Sequence, residues 1–110
     1  MENYNRIDKE VYAILYYLDN KLHRIDGPAI ESFNGDRYLY QNGYIHRIDG
    51  PAYESINGNK VWYQNGLLHR LNGPAVEYSN GRKWWYYEGE LIECNSQEEF
   101  ERLIKLRLFW

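Results

Sequence analysis

Asn42-Gly43-Tyr44-Ile45-His46-Arg47-Ile48-Asp49-Gly50-Pro51-Ala52 returns 23 residues downstream as Asn65-Gly66-Leu67-Leu68-His69-Arg70-Leu71-Asn72-Gly73-Pro74-Ala75. A partial copy, Asp19-Asn20-Lys21-Leu22-His23-Arg24-Ile25-Asp26-Gly27-Pro28-Ala29, precedes both. Residues 27–49 and 50–72 align without a gap and share 13 of 23 positions. Such a fixed period marks a repeat protein, in which each unit is one supersecondary element that buries its apolar face only against its neighbours.

Working outward through residues 50–72, Pro51 to Ile56 is expected to be a strand, with Ala52, Glu54 and Ile56 on one face and Tyr53 and Ser55 on the other. Asn57-Gly58 is a hairpin turn, because both residue types tolerate φ > 0. Lys60 to Gln64 is the expected return strand, with Val61 and Tyr63 opposite Trp62, and Asn65-Gly66 turns again before Leu67 to Asn72 connects to the next Gly-Pro. Each unit is therefore a β-hairpin plus a connecting segment. Stacked units give an open antiparallel sheet carrying ladders of Tyr17, Tyr40, Tyr63 and Tyr86, of Tyr16, Leu39, Trp62 and Trp85, of Leu22, Ile45, Leu68 and Leu91, and of Glu31, Glu54 and Glu77. Cross-strand packing is the ordinary use of such rows.

Both ends depart from the pattern. Residues 1–26 keep Tyr17 and His23-Arg24 but have Val11-Tyr12 where Asn-Gly would fall, so they form a degenerate first repeat and cap. Repeats occupy 27–49, 50–72 and 73–95, and at the end of the third, Ile92-Glu93 replaces His-Arg. Ser96-Gln97-Glu98-Glu99 is a capping box that opens a C-terminal helix over 96–110. Phe100, Leu103, Ile104 and Leu108 recur at helical spacing, with acids first and Lys105 and Arg107 last, as the helix dipole favours. The helix is expected to cover the edge of the last hairpin, where an open strand invites aggregation. The fold class is mainly β: one domain over 1–110, an open sheet of stacked hairpins with a helical cap.

The chain has 110 residues, 13 basic and 16 acidic side chains, and a net charge of −3. That balance argues against nucleic-acid duplexes as partners, which draw a basic excess, and against docking on anionic membranes. The single Cys94 cannot form an internal disulfide, the first ten residues hold no apolar signal core, and no apolar run is long enough to span a bilayer. A cytoplasmic protein is expected. Twelve Tyr, four Trp and three Phe beside nine Gly reinforce the β reading.

The motif N-G-x-x-H-R-x-[DN]-G-P-A, as it stands in 42–52 and 65–75, resembles a variant form of the MORN repeat family. The resemblance covers roughly residues 16–95; common MORN units have Gly where this chain has Arg and Pro. It implies an open, twisted sheet of hairpins, and scaffolding or dimerisation rather than catalysis. Variants of this kind are frequent in bacteria, tailed phages and giant viruses, and by analogy a short stand-alone array of viral origin suits an inhibitor of a host defence protein, acting in the host cytoplasm.

The residues themselves offer little chemistry. His23, His46 and His69 sit about 10 Å apart along a sheet with roughly 4.8 Å per strand, too far to share one zinc ion, so no metal site is expected. The same spacing separates Glu54 from Glu77 and argues against a carboxylate pair. Arg24, Arg47 and Arg70 have the fork geometry that holds carboxylates and phosphates, yet each repeat carries its own acids, and pairing within the repeat competes with ligand contact. Cys94 stands where other repeats have Ile25, Ile48 and Leu71, so a buried small apolar role is expected rather than a nucleophile. No phosphate-binding, dinucleotide, G-x-S-x-G or zinc-protease motif is present.

Trp84-Trp85-Tyr86-Tyr87 places large rings on both faces of one strand, and the chain ends Phe109-Trp110. Aromatics and Arg dominate protein-binding hot spots. The sequence thus points to a non-enzymatic protein-binding module without cofactors, with Trp62, Trp84, Trp85, Arg47, Arg70, Phe109 and Trp110 as candidate contacts. The alternatives are a small-molecule or nucleotide binder, in which rings stack on a base and Arg holds phosphates, and a self-assembling scaffold or homodimer.

Overall fold

The computed structural model describes residues 3–108. The chain opens with a hairpin of β1 (Arg6–Lys9) and β2 (Ala13–Leu18), and β3 (Lys21–Leu22) folds back on the end of β2. Residues 27–49 carry β4 (Ile30–Ser32), β5 (Arg37–Tyr38), β6 (Tyr40–Gln41) and β7 (Tyr44–Ile45). The next unit repeats the set as β8 (Tyr53–Glu54), β9 (Lys60–Val61), β10 (Tyr63–Gln64) and β11 (Leu67–Leu68). The last contributes β12 (Val76–Glu77), β13 (Lys83–Tyr87) and β14 (Glu90–Ile92), followed by α1 (Gln97–Leu108). The architecture is mainly β, antiparallel and open, with no closed barrel among the described residues.

Each unit makes two hairpins rather than one hairpin and a connection. The expected return strand Lys60–Gln64 breaks at Trp62, and the expected strand Pro51–Ile56 pairs only through Tyr53–Glu54. The break has a physical cause. Trp62 donates its N–H to the Ala75 carbonyl at 2.7 Å and its own carbonyl accepts the His69 N–H at 3.1 Å, so its backbone is used to pass from one row of strands to the next. Leu39 does the same with Ala52 and His46 between β5 and β6. Tyr16 makes the equivalent bonds to Ala29 and His23, but β2 runs on through it because β1 pairs along that stretch, with Ile7 opposite Tyr16. First hairpins join into a long sheet ordered β1-β2-β4-β5-β8-β9-β12-β13-β14, and second hairpins, such as β6-β7 and β10-β11, form a parallel row of their own.

The two turns of a unit differ. Asn42 and Gly43 have φ of 54° and 85°, and Asn65 and Gly66 of 50° and 82°, so the second turn needs two left-handed residues and Asn-Gly supplies them. Asp19-Asn20 and Glu88-Gly89 adopt the same conformation at the ends of the array. The degenerate first repeat keeps its hairpin without any Asn-Gly, closed by the Glu10 N–H on the Ala13 carbonyl at 2.8 Å.

Strand alternation gives the long sheet two unlike faces. Leu15, Ile30, Tyr38, Tyr53, Val61, Val76 and Trp84 lie in one register row. Glu31, Arg37, Glu54, Lys60, Glu77 and Lys83 lie in the row beside it, alternating in sign across every strand pair. Ala13, Ala29, Ala52 and Ala75 are fully buried where successive units meet. The molecule measures 45 × 32 × 17 Å, close to one layer thick, and its largest buried cluster is at the C-terminal end, where Phe100 and Ile104 of α1 pack on Trp85.

Candidate functional site

The repeated motif is a set of staples between units. His23 Nδ1 accepts the Asn42 N–H, His46 Nδ1 the Asn65 N–H and His69 Nδ1 the Glu88 N–H, each at 2.9 Å. Every histidine therefore holds the second turn of the following unit, and because Nδ1 accepts, the ring hydrogen resides on Nε2. Each arginine folds over the glycine three residues on. Arg70 bonds Asn72 at 3.1 Å, the Pro74 carbonyl at 3.1 Å and Glu77 at 2.7 Å. Arg24 makes the same contacts with Asp26, Pro28 and Glu31. Burial opposes the charge on Arg24, but the bonds to Asp26 and Glu31 outweigh it and raise the guanidinium above its ordinary value. Asp26 responds in the opposite sense: a bond from Asn3, then one from Arg24, holds its carboxyl below the usual range. Arginine thus pairs with nearby acids, but within its own unit only at Asp26 and Asp49: Glu31, Glu54 and Glu77 belong to the unit that follows, and Arg70 has Asn72 in place of the first acid. Among the described residues, no three His, Cys, Asp or Glu side chains are grouped closely enough to hold a metal ion.

Guanidiniums also stack. Arg24 lies 3.9 Å from the centre of the Tyr16 ring and Arg70 3.7 Å from that of Trp62. Trp62, a candidate contact in the sequence, is therefore partly covered by Arg70, another candidate.

The C-terminal end differs. Interior strands are paired on both sides; β9, for example, lies between β8 and β12. In β13, Trp85–Tyr87 pair with β14, but among the described residues Lys83 and Trp84 pair only with β12. The helix was expected to cover this edge. It packs instead on the Trp85 side, because the residues that would continue the sheet, Glu99 and Phe100, are in α1, held by the Ser96 Oγ on the Glu99 N–H at 3.1 Å. The result is a groove of about 510 Å³ lined by Arg82, Lys83, Trp84, Leu91, Glu93 and Cys94 among others. Trp84 is 45% exposed, whereas Trp85 is 7% exposed, with its indole N–H on Gln97 Oε1 at 2.8 Å.

Of the candidates read from sequence, Trp84 lies in this groove with Trp85 as part of its wall, and Trp62, Arg47 and Arg70 lie at the junctions between units. Phe109 and Trp110 are outside the described residues. Lys83, Leu91 and Glu93 carry no binding signal of their own in the sequence, although the replacement of His-Arg by Ile92-Glu93 marks where the array changes. Cys94 is partly buried against the C-terminal cluster. Burial and the nearby Glu99 push its thiol up, only partly offset by a backbone bond from Ser96, which is the opposite of what a nucleophile requires. Among the described residues, no helix is long and apolar enough to cross a membrane. No family model matches the chain, and no curated protein or solved structure is significantly similar to it.

Proposed function

We propose that this chain is a non-enzymatic protein-binding module whose docking surface is the C-terminal edge, where a partner strand pairs with Lys83–Trp84. One observation carries the reading: in β13, Lys83 and Trp84 lack the second strand partner that interior strands such as β9 have, among the described residues, and they lie beside a groove containing an exposed Trp. Unpaired strand edges bind extended segments through main-chain bonds, and an adjacent aromatic supplies the anchor. The array itself shows what such an edge accepts. Val76–Glu77 lies on Val61–Lys60 in antiparallel register, and the same geometry would set an apolar residue opposite Trp84 and an acidic one opposite Lys83. The resemblance to MORN-type scaffolds agrees with this reading, and inhibition of a host defence protein is one form it would take.

The test uses the chain's own covering strand as probe: a labelled peptide copying residues 73–79, titrated while backbone amide signals are followed. Binding should shift the Lys83 and Trp84 signals selectively. It should be abolished by Lys83→Pro, which removes a donor that strand alternation turns toward the open side, and weakened by Trp84→Ser. No shift at these residues, or equal binding by Lys83→Pro, would remove the edge as the docking surface.

A further inference from the structure

The two interior junctions between units form equivalent clefts, and one of them lacks a ring. Between the second and third units the cleft is lined by Trp62, Gln64, His69 and Arg70 with Asp49 and Gly50, and its volume is about 360 Å³. Shifted back by one period, the lining becomes Leu39, Gln41, His46 and Arg47 with Asp26 and Gly27, and the volume is about 760 Å³, extending to Arg37 and Glu54. In the first unit the guanidinium of Arg24 covers Tyr16; in the third that of Arg70 covers Trp62. Arg47 has Leu39 at this place and, among the described residues, no ring beneath its guanidinium.

The surroundings of Arg47 are loosened to match. Its distance to Glu54 is 3.8 Å, where Arg70 reaches Glu77 at 2.7 Å, and its side chain is 33% exposed against 18% for Arg24 and 20% for Arg70. Arg37 lies in register between Glu31 and Glu54, yet forms no ion pair among the described residues. His46, whose Nδ1 is occupied by the Asn65 N–H, has its Nε2 hydrogen left to donate, and Gln41 adds an amide. Asp26 and Asp49 also line the cleft but are bonded to Arg24 and Arg47.

We infer that the cleft at Leu39 and Arg47 is a binding site for a planar aromatic anion, the ring stacking against Arg47 where Tyr16 and Trp62 stack in the neighbouring units, and the anionic group taken by Arg37 and His46. A guanidinium over a ring and a fork of N–H donors for a phosphate or carboxylate are complementary to that ligand and to neither half of it alone. The volume falls in the range of small-molecule sites. Nucleoside monophosphates and aromatic carboxylates share this chemistry. The inference is independent of strand docking at the C-terminal edge, which lies in a different unit.

The experiment is calorimetric titration with adenosine 5′-monophosphate, uridine 5′-monophosphate and indole-3-acetate. Adenosine serves as the ring-only control and ribose 5-phosphate as the anion-only control. At least one aromatic anion should bind with one site per chain and at least about tenfold more tightly than either control. The two families of probe separate a phosphate ligand from a carboxylate one. Leu39→Trp, which installs the ring found in the third unit, should abolish binding without loss of the folded circular dichroism spectrum, and Arg47→Gln should weaken it about tenfold or more. Trp62→Leu should create a second site at Arg70. The inference is overturned if no probe binds at about 1 mM, or if binding survives undiminished in both Leu39→Trp and Arg47→Gln.

Discussion

Replacing Gly73 by alanine tests whether the arginine staple holds the repeats together. A Cβ built on Gly73 would stand 2.5 Å from the Arg70 guanidinium carbon; the same atom on Gly50 would be 2.8 Å from that of Arg47, and on Gly27 3.1 Å from that of Arg24. None of the three glycines has a left-handed φ, so alanine introduces no backbone strain and the only conflict is with the guanidinium. At Gly73 the arginine must leave its seat. It then loses a partly screened ion pair worth roughly 0.5–1 kcal/mol, a ring contact worth about 0.5–1 kcal/mol and a bond to the Pro74 carbonyl worth about 1 kcal/mol. The expected net cost is about 2 kcal/mol, a drop of roughly 8 °C in thermal midpoint for a chain of this length. At Gly27 a shift of a few tenths of an ångström suffices, and the smaller entropy of the unfolded alanine chain offsets much of the cost. Thermal and urea unfolding of Gly27→Ala, Gly50→Ala and Gly73→Ala should therefore rank in that order of increasing damage. The decisive control is Gly73→Ala made in an Arg70→Met background, where the added methyl should cost close to nothing. Equal destabilisation with and without the guanidinium would refute the staple, as would a reversed ranking.

Two further outcomes follow from the same structure. His23→Phe keeps the shape of a ring that is 3% exposed but leaves the Asn42 N–H without its acceptor, so chemical unfolding should report a loss of about 1–3 kcal/mol, while His23→Asn, which retains an acceptor on a shorter side chain, should lose less. Tyr38 and Tyr63 have phenols held above their ordinary value of 10.0, first by burial and then by neighbouring tyrosines, with Asp36 adding to the effect at Tyr38. A folded pKa above the unfolded one means that this stability is fully present below pH 10 and is lost as pH rises through the folded values. A joint titration of tyrosinate absorbance and circular dichroism should show unfolding accompanying late ionisation, and ionisation of every tyrosine at its ordinary pH with the fold intact would contradict it.

The 23-residue period determined most of what the sequence shows directly. Asn-Gly pairs place the second turns because a two-residue turn with both residues at φ > 0 admits few other choices. The His-Arg-x-x-Gly-Pro-Ala spacing is also legible once its work is known: His for the next turn, Arg over Gly, and a buried Ala at each junction. Sequence alone could not show that the return strand breaks at Trp62, because alternation continues straight through 60–64 and only the competing bonds to Ala75 and His69 interrupt it.

Candidate contacts were legible as residue types and not as places. Trp84 and Trp85 are adjacent and chemically alike, yet one is buried beneath α1 and the other half-exposed beside an open edge, a distinction set by which face the helix covers. Leu39 is unremarkable in the sequence. It becomes informative only when its position is compared with those of Tyr16 and Trp62 beneath their arginines. Local chemistry (turn residues, caps and the repeat period) therefore fixed the repeating unit, its turns and the helix from the sequence itself, but not the division of each unit into two hairpins. Where pairing stops and which cleft stands open were decided by tertiary structure, because both depend on contacts between units that no single repeat contains.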